Sequence, residues 1–327
     1  MEELRNKRIA LLGNMNNNHF TLMRYMRDLG LNVDLLLFIN EASHFIPECD
    51  TWEFNKWTPY IKQTGLSNGY NWMGTLMLLF KRKKIQKTFE PYNIILANGF
   101  GPALCYLGRR KLDGFIPYGL GGEFLIKEKK MNLFQVAFFY IRRYFQIKGI
   151  RKTGFIATID SSESNLVNYT KINVLNKIVP LAVCAVYNRE PIINTNLFIR
   201  KEVLQVLQEL KKTKYSLFSH VSHFWKSIRP FEIAPIKCND ILIKAFAEYC
   251  KRSTQKSIKL FLVNYGPDLN ASKELIAQLG IDSQVHWCPM MERKEIMVIL
   301  DHVTLGAGEF GGYIWGGTGW EFLSKGI

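Results

Sequence analysis

No stretch of the 327 residues approaches the ~20 consecutive apolar residues that a membrane-spanning helix needs. The best candidate, Met131 to Ile141, is about half that length and carries Asn132 and Gln135. The N-terminus, MEELRNKRIALLG, mixes acids with bases and runs straight into a strand-like segment, unlike a cleaved signal peptide. An integral membrane protein and a secreted one are both disfavoured, and a cytoplasmic location is expected. Cysteine is sparse and scattered. Cys49, Cys105, Cys184, Cys238, Cys250 and Cys288 form no C-x-x-C pair and have no His at zinc-ligand spacing. They read as reduced thiols, and no metal site is expected. No D-x-D motif, internal repeat or low-complexity tract occurs.

What is present is an ordinary globular balance, 47% hydrophobic and 22% charged, over a length that suits two domains of about 150 residues. The net charge of +15 is unevenly placed. Residues 81–152 hold 16 Lys/Arg against 4 Asp/Glu, whereas the rest of the chain holds 27 against 24. A patch of that kind attracts phosphates, whether of nucleic acid, lipid headgroups or a phosphorylated substrate.

Short apolar runs alternate with helix-length amphipathic stretches. Lys7–Leu12, Val33–Phe38, Ile94–Ala97, Phe115–Tyr118, Phe155–Ile159 and Ile178–Val183 read as strands of a first domain. His19–Leu29 and Trp72–Phe89 have helical spacing. Beyond the polar stretch Tyr187–Thr195, Tyr215–His220, Ile258–Asn264, Gln284–Trp287 and Val303–Leu305 read as strands. Leu197–Leu210, Asn239–Arg252, Leu269–Leu279 and Glu292–Leu300 read as helices. The alternation predicts two Rossmann-like α/β/α domains with parallel sheets, over residues 1–195 and 196–327, facing a cleft. In such sheets ligands sit beyond the carboxyl ends of the strands.

Three loops there could carry chemistry. The first, Gly13-Asn14-Met15-Asn16-Asn17-Asn18-His19, offers backbone N–H groups at a helix start but is neither a dinucleotide fingerprint nor a P-loop. A tight turn with an Asn cap is the plainer account of it. The second bears Lys226, Arg229 and Lys237, which could face an anion or simply be solvated. The third has seven glycines between residues 306 and 319, then a helical Trp320-Glu321-Phe322-Leu323. Its Gly316-Gly317-Thr318-Gly319 would point N–H groups at a phosphate, and Glu321 could accept from sugar hydroxyls.

At these residues the sequence resembles the retaining glycosyltransferases of family 4, which have the GT-B fold. HFWK with IKCNDILIKAFAEY, FLVNYGPDLNASKELIAQLGIDSQVHWCP, and GGTGWEFLSKGI carry the likeness, over residues 215–327. The resemblance implies a nucleotide-sugar donor held by Lys237 at its diphosphate, by Glu321 at its ribose, and by Gly317, Thr318 and Gly319 at the phosphate-binding helix start. It places Pro289 and Met290 near the base, and Gly13 in the loop facing donor and acceptor. It also implies a front-face, retaining transfer that needs no cofactor, the donor being a substrate.

The sequence departs from the family at several points. Tyr313 stands where a Glu is usual, and Glu309, in Gly308-Glu309-Phe310, is out of register with it. The expected phosphate-binding arginine has no match, so Lys226 or Arg229 is the substitute. His19 and Glu309 are weak candidates for a catalytic role. The implied acceptor is a glycan or lipid-linked glycan of cell-surface polysaccharide or lipopolysaccharide synthesis.

Two other readings stay open: a basic membrane- or nucleic-acid-binding module without chemistry, and a sugar-nucleotide epimerase of the same fold. Nucleic acid is disfavoured for want of any recognised binding motif. Binding to the inner face of an anionic membrane is expected from Leu133–Phe145. Cations flank its apolar centre at Lys127, Lys129 and Lys130 before and Arg142, Arg143, Lys148, Arg151 and Lys152 after, and Lys81–Lys84 and Arg109–Lys111 add to them.

Overall fold

Arg8–Leu12, an aliphatic run buried beyond its first residue, lies inside a seven-stranded parallel sheet in the computed structural model. The described residues are 2–39, 41–69, 72–117, 131–158, 168–181, 186–190, 199–228, 237–253, 257–311 and 316–327. The strands are β1 (Arg8–Leu12), β2 (Asn32–Leu37), β3 (Ile61–Gln63), β4 (Ile94–Ala97), β5 (Gly114–Phe115), β6 (Phe155–Ala157) and β7 (Ile178–Val179), in the order β3-β2-β1-β4-β5-β6-β7. Both faces of its centre are covered, so Ile9–Leu12 of β1 and Leu35–Leu37 of β2 are unbroken apolar runs rather than alternating ones, while the buried Asp34 of β2 is paired with Arg8 and Arg27. Successive side chains still part company. Ile9, Leu11, Val33 and Leu35 pack with Phe20 and Met23, whereas Ala10, Leu12 and Leu36 pack with Ile85, Phe89 and Leu104.

The helices of this part are α1 (Glu2–Arg5), α2 (Asn18–Asp28), α3 (Phe54–Trp57), α4 (Trp72–Phe80), α5 (Arg82–Phe89), α6 (Gly101–Leu107) and α7 (Leu133–Lys152). A capping box starts α7: Asn132 accepts from Gln135 N–H, and the Gln135 side chain accepts from Asn132 N–H, each at 2.9 Å. Its inward face, with Phe139, Gln146, Gly149 and Ile150, is buried.

The second sheet is also parallel, with β8 (Tyr215–Ser219), β9 (Ile258–Val263), β10 (Val285–Cys288) and β11 (Leu305–Gly306) in the order β10-β9-β8-β11. Its helices are α8 (Lys201–Lys212), α9 (Asn239–Arg252), α10 (Leu269–Leu279), α11 (Arg293–Leu300) and α12 (Gly317–Ser324). Phe218, Phe261 and Val263 pack with Val203, Ile299 and Phe322 on one face; Leu260 and Leu262 pack with Ile243, Phe246 and Ile276 on the other. The chain divides into two units, Met1–Cys49 with Glu53–Tyr187, and Asp50–Trp52 with Asn188–Ile327.

Several elements differ from the sequence reading. Trp72–Phe89 is two helices, because the chain leaves helical geometry at Lys81 (φ −96°, ψ 25°), where an apolar segment meets a basic one. The strand expected over Phe115–Tyr118 is only Gly114–Phe115, that over Phe155–Ile159 stops at Ala157, and that over Ile178–Val183 stops at Val179. Tyr118, Ile159 and Val183 lie outside the described residues. β11 starts at Leu305 rather than Val303, where its pairing with Leu217 of β8 begins. Helix α8 runs Lys201–Lys212 instead of Leu197–Leu210, behind an extended Arg200. Strand β3 and helix α6 were not foreseen. Pro102 in the first turn is the local signal for α6.

Helices α6 and α7 approach so closely that a Cβ at Gly149 would lie 2.0 Å from the Pro102 carbonyl oxygen. That neighbour is backbone and cannot rotate away. Gly149→Ala is therefore expected to cost about 1–3 kcal/mol through overpacking. Thermal unfolding followed by circular dichroism should show a lower midpoint; an unchanged midpoint would mean that the helices separate without cost.

Candidate functional site

In the second sheet the chain runs from β8 to β9 to β10 in one direction, and β11 returns to the other side of β8. The β8/β11 boundary is thus the topological switch point, where a crevice opens beyond the carboxyl ends. The loops there are His220–Ser227 after β8 and Ala307–Glu309 after β11, with the start of α12 close behind them.

Two of the anion positions offered by the sequence already hold a carboxylate. Lys237 forms an ion pair with Glu309, both side chains being largely buried at 16% and 9% exposure. Phe310 N–H also donates to the Lys237 carbonyl, at 3.3 Å. A Cβ on Gly316 would fall 2.3 Å from Glu309 Oε1, so the same carboxylate lies against the residue that caps α12. An ammonium and a helix N-terminus converge on one negative group. In the loop after β8, Asp268 Oδ2 accepts the backbone N–H groups of Trp225, Lys226 and Ser227 at 2.8, 2.8 and 2.9 Å. Ser227 Oγ donates to its other oxygen at 2.6 Å. Burial opposes the charge of Asp268, but these donors outweigh it and hold the carboxyl below its ordinary range.

That loop is anchored from both sides. Phe224 N–H donates to Asn239 Oδ1 at 3.0 Å, which ties it to the start of α9. His223 N–H donates to the Tyr265 carbonyl and His223 O accepts from Asp268 N–H, at 3.0 and 2.9 Å. Gly266, at φ +122°, passes so near that a Cβ would meet His223 N at 2.4 Å. Only glycine permits both the backbone angle and the approach.

Glu321, in the first turns of α12, is 5% exposed. Its Oε1 accepts from Arg293 Nε at 2.6 Å and its Oε2 from His220 Nε2 at 2.5 Å. Arg293 Nη1 also donates to Asp50 Oδ1 at 3.2 Å. Burial disfavours the charge of Glu321, yet the Arg293 cation and the His220 bond pull its carboxyl down to about 2. Arg293 is the cation that sequence reasoning missed. It lies on α11, 56 residues beyond Lys237, and only the tertiary structure brings it to Glu321.

The remaining candidates are placed less centrally. Lys226 is exposed, with its N–H committed to Asp268. Arg229 lies outside the described residues. Pro289 and Met290 follow β10, Met290 being 65% exposed with its carbonyl accepting from Arg200 Nη2 at 2.8 Å. Of the glycine segment's N–H groups, that of Gly319 is already bonded to the Gly316 carbonyl at 2.9 Å. Thr318 Oγ1 is buried without a hydrogen-bond partner.

The first sheet reverses between β1 and β4, so its own switch point is formed by the Gly13–His19 loop and the turn at Asn98. Gly13, at φ +79°, lies against Asn98, whose Oδ1 would be 2.3 Å from a Cβ there. Two of the asparagines pair: Asn14 Nδ2 donates to Asn17 Oδ1 at 2.7 Å, and Asn14 Oδ1 accepts from Phe20 N–H at 2.9 Å. His19 is fully buried and donates from Nδ1 to the Gly13 carbonyl at 2.8 Å; burial pushes its pKa down to about 4. Its neutral ring thus holds the loop. Glu41, which no motif marks, is pushed up by burial to about 7, near the pH at which a carboxyl can take and give a proton.

The second unit should lose stability on acidification in two stages. Burial lowers His223 from 6.5 to about 4, so its contribution is complete above pH 6.5 and declines as pH falls towards 4. That of Glu321 is complete above its ordinary 4.5 and declines towards 2. Denaturant midpoints measured across this range should fall with pH. His223→Asn should flatten the upper stage without abolishing it, since His286 is lowered by burial as well. An unchanged slope in the variant would show that His223 is not held neutral.

No protein-family model matches the sequence, and no curated protein matches it. Among solved structures the chain is similar to the apo form of the lipopolysaccharide outer core galactosyltransferase WaaB, with a TM-score of 0.52 and 13% identity over 98% of this chain and 79% of that one. It is also similar to a UDP-N-acetylglucosamine 2-epimerase, with a TM-score of 0.51 and 10% identity over 92% of this chain and 74% of that one. At such identities the likeness is one of architecture alone. Two Rossmann-like α/β units, each with a parallel sheet reversing at a switch point, and these two neighbours identify the fold as GT-B.

Proposed function

We propose that the chain is a glycosyltransferase that moves a sugar from a nucleotide-sugar donor to a glycan or lipid-linked acceptor, with retention and without a metal, after the manner of family 4. The observation that carries this reading is the convergence of Lys237 and the start of α12 on the carboxylate of Glu309. A diphosphate presents the same sign of charge to the same two groups, and would take the place that Glu309 holds. Lys237 then offsets charge on the departing diphosphate, the task a divalent cation performs elsewhere. Glu321 has each oxygen bonded once and keeps a second lone pair on each for ribose hydroxyls. Arg293 keeps that carboxylate ionised and oriented. Glu309, once displaced, is free to meet the donor sugar or the acceptor hydroxyl. Acceptor binding falls to residues 1–195, and the membrane surface to the helices of that unit.

The epimerase reading is favoured by one observation, the comparable likeness to a UDP-N-acetylglucosamine 2-epimerase. It requires turnover of a nucleotide sugar with no acceptor present.

The test is a panel of nucleoside diphosphates and nucleotide sugars, read by thermal shift and calorimetry. One nucleotide should stabilise the protein. Lys237→Ala should weaken it ~10- to 100-fold, as expected for losing a charge-assisted contact of about 1.5–3 kcal/mol. Glu309→Gln should bind the diphosphate several-fold more tightly while lowering sugar transfer. Stabilisation by none of the panel would leave a binding module without chemistry. Weaker diphosphate binding by Glu309→Gln would mean that the carboxylate does not occupy the phosphate position.

A further inference from the structure

Helix α4 keeps apolar side chains on the side it turns to solvent as well as on its buried side. Met73, Leu76, Met77 and Phe80 are 55%, 38%, 42% and 82% exposed, while Thr75 and Leu78 are each 1% exposed. Positions 73, 76, 77 and 80 have the i, i+3, i+4, i+7 spacing of one helical face. That face is apolar throughout and turned to solvent, and α4 contains no charged residue. Helix α7 packs against α4, and Arg142 Nη1 donates to the Gly69 carbonyl at 3.3 Å just before α4. The outer side of α7 adds Leu133 at 91% exposure and Tyr140 at 55%.

From Phe80 the chain passes directly into Lys81-Arg82-Lys83-Lys84, of which residues 82–84 are exposed. This is the start of the segment with 16 Lys/Arg against 4 Asp/Glu. Cations that follow directly on an apolar helical face match the layers of a bilayer surface: anionic phosphates above, acyl chains beneath. A second copy of this chain fits worse, because a symmetric contact through this face would bring two cationic segments together. Among the described residues no helix is long and apolar enough to cross the membrane, so the contact is with its surface.

We infer that the outward face of α4, with the exposed side of α7 and the cations at the start of α5, is a docking surface for an anionic lipid bilayer. It refines the membrane expectation of the sequence, which centred on Leu133–Phe145 and did not include α4. Phe80, Met77 and Met73 enter below the headgroups, and Arg82 and Lys83 stay at phosphate depth. The inference is independent of the transfer reaction, since the surface binds lipid whether or not the second unit binds a nucleotide sugar.

Cosedimentation with vesicles tests it on the full chain. Vesicles of phosphatidylcholine mixed with phosphatidylglycerol should carry the protein down, and phosphatidylcholine alone should not. Salt at 1 M, where screening shortens to about 3 Å, should release most of it. Met77→Ser with Phe80→Ser, and separately Arg82→Gln with Lys83→Gln, should each weaken binding at least about tenfold, or 1.4 kcal/mol. All four residues are at the surface, so unfolding midpoints should match that of the unaltered chain. Equal binding to neutral vesicles, no binding to anionic ones, or full binding by the Met77/Phe80 variant would overturn the inference. So would a dimer in sedimentation velocity that the same variant abolishes, with no vesicle binding.

Discussion

The buried guanidinium of Arg293 is the constraint on which the switch point of the second sheet depends. It is 12% exposed at the side chain and is held by Glu321 at 2.6 Å and Asp50 at 3.2 Å. A charge so placed is tolerable only while its partners remain; removing one partner of a buried pair typically costs about 3–5 kcal/mol. The cluster therefore fixes α12 against α11, and with α12 the N-terminal end that faces Glu309. It also joins the Asp50–Trp52 segment to the second unit, to which those residues belong despite their place in the sequence.

Around this cluster, Lys237 and the N–H groups of the loop after β8 already have carboxylate partners within the chain. Glu309 lies between Lys237 and the cap of α12, and Asp268 takes three N–H groups of the loop after β8. The two carboxylates differ in consequence. Asp268 stands just before α10 and its carboxylate organises the loop after β8 through four hydrogen bonds, so its place is architectural. Glu309 rests on one ammonium and one helix end, and a more highly charged anion competes for both. Under the proposed function, this arrangement keeps a buried lysine satisfied when no donor is bound, at the expense of some donor affinity.

The first unit spends its polar residues differently. His19, Asn14 and Asn17 brace the loop after β1, and Asn17 also ties it to the His44 carbonyl. The basic surplus lies outside that loop, where α4 and α7 leave apolar side chains in solvent beside it. Composition locates this surplus but cannot say which side of a helix looks outward. In α4, whose residues are apolar almost all round, that choice is made by packing against α7.

Strand–helix alternation, both parallel sheets and the loops that lie at the switch point of each sheet were legible in the sequence, because parallel strands need aliphatic runs and helix starts need particular residue types. Lys237, Glu309 and Glu321 were singled out by loop composition and by resemblance to a family. That Lys237 and Glu309 neutralise each other was not legible, since they lie 72 residues apart and meet only through the return of β11 beside β8. Arg293 was missed for the same reason: on α11 it reads as an ordinary basic residue at a helix start. The short strands β5, β7 and β11 escaped accurate delimitation because two paired residues leave no periodicity. The sequence by itself determined the kinds of element and the chemistry available at their ends. Only the tertiary structure decided which charges face one another, because burial and partnership are set by sheet order, and sheet order depends on contacts between distant residues.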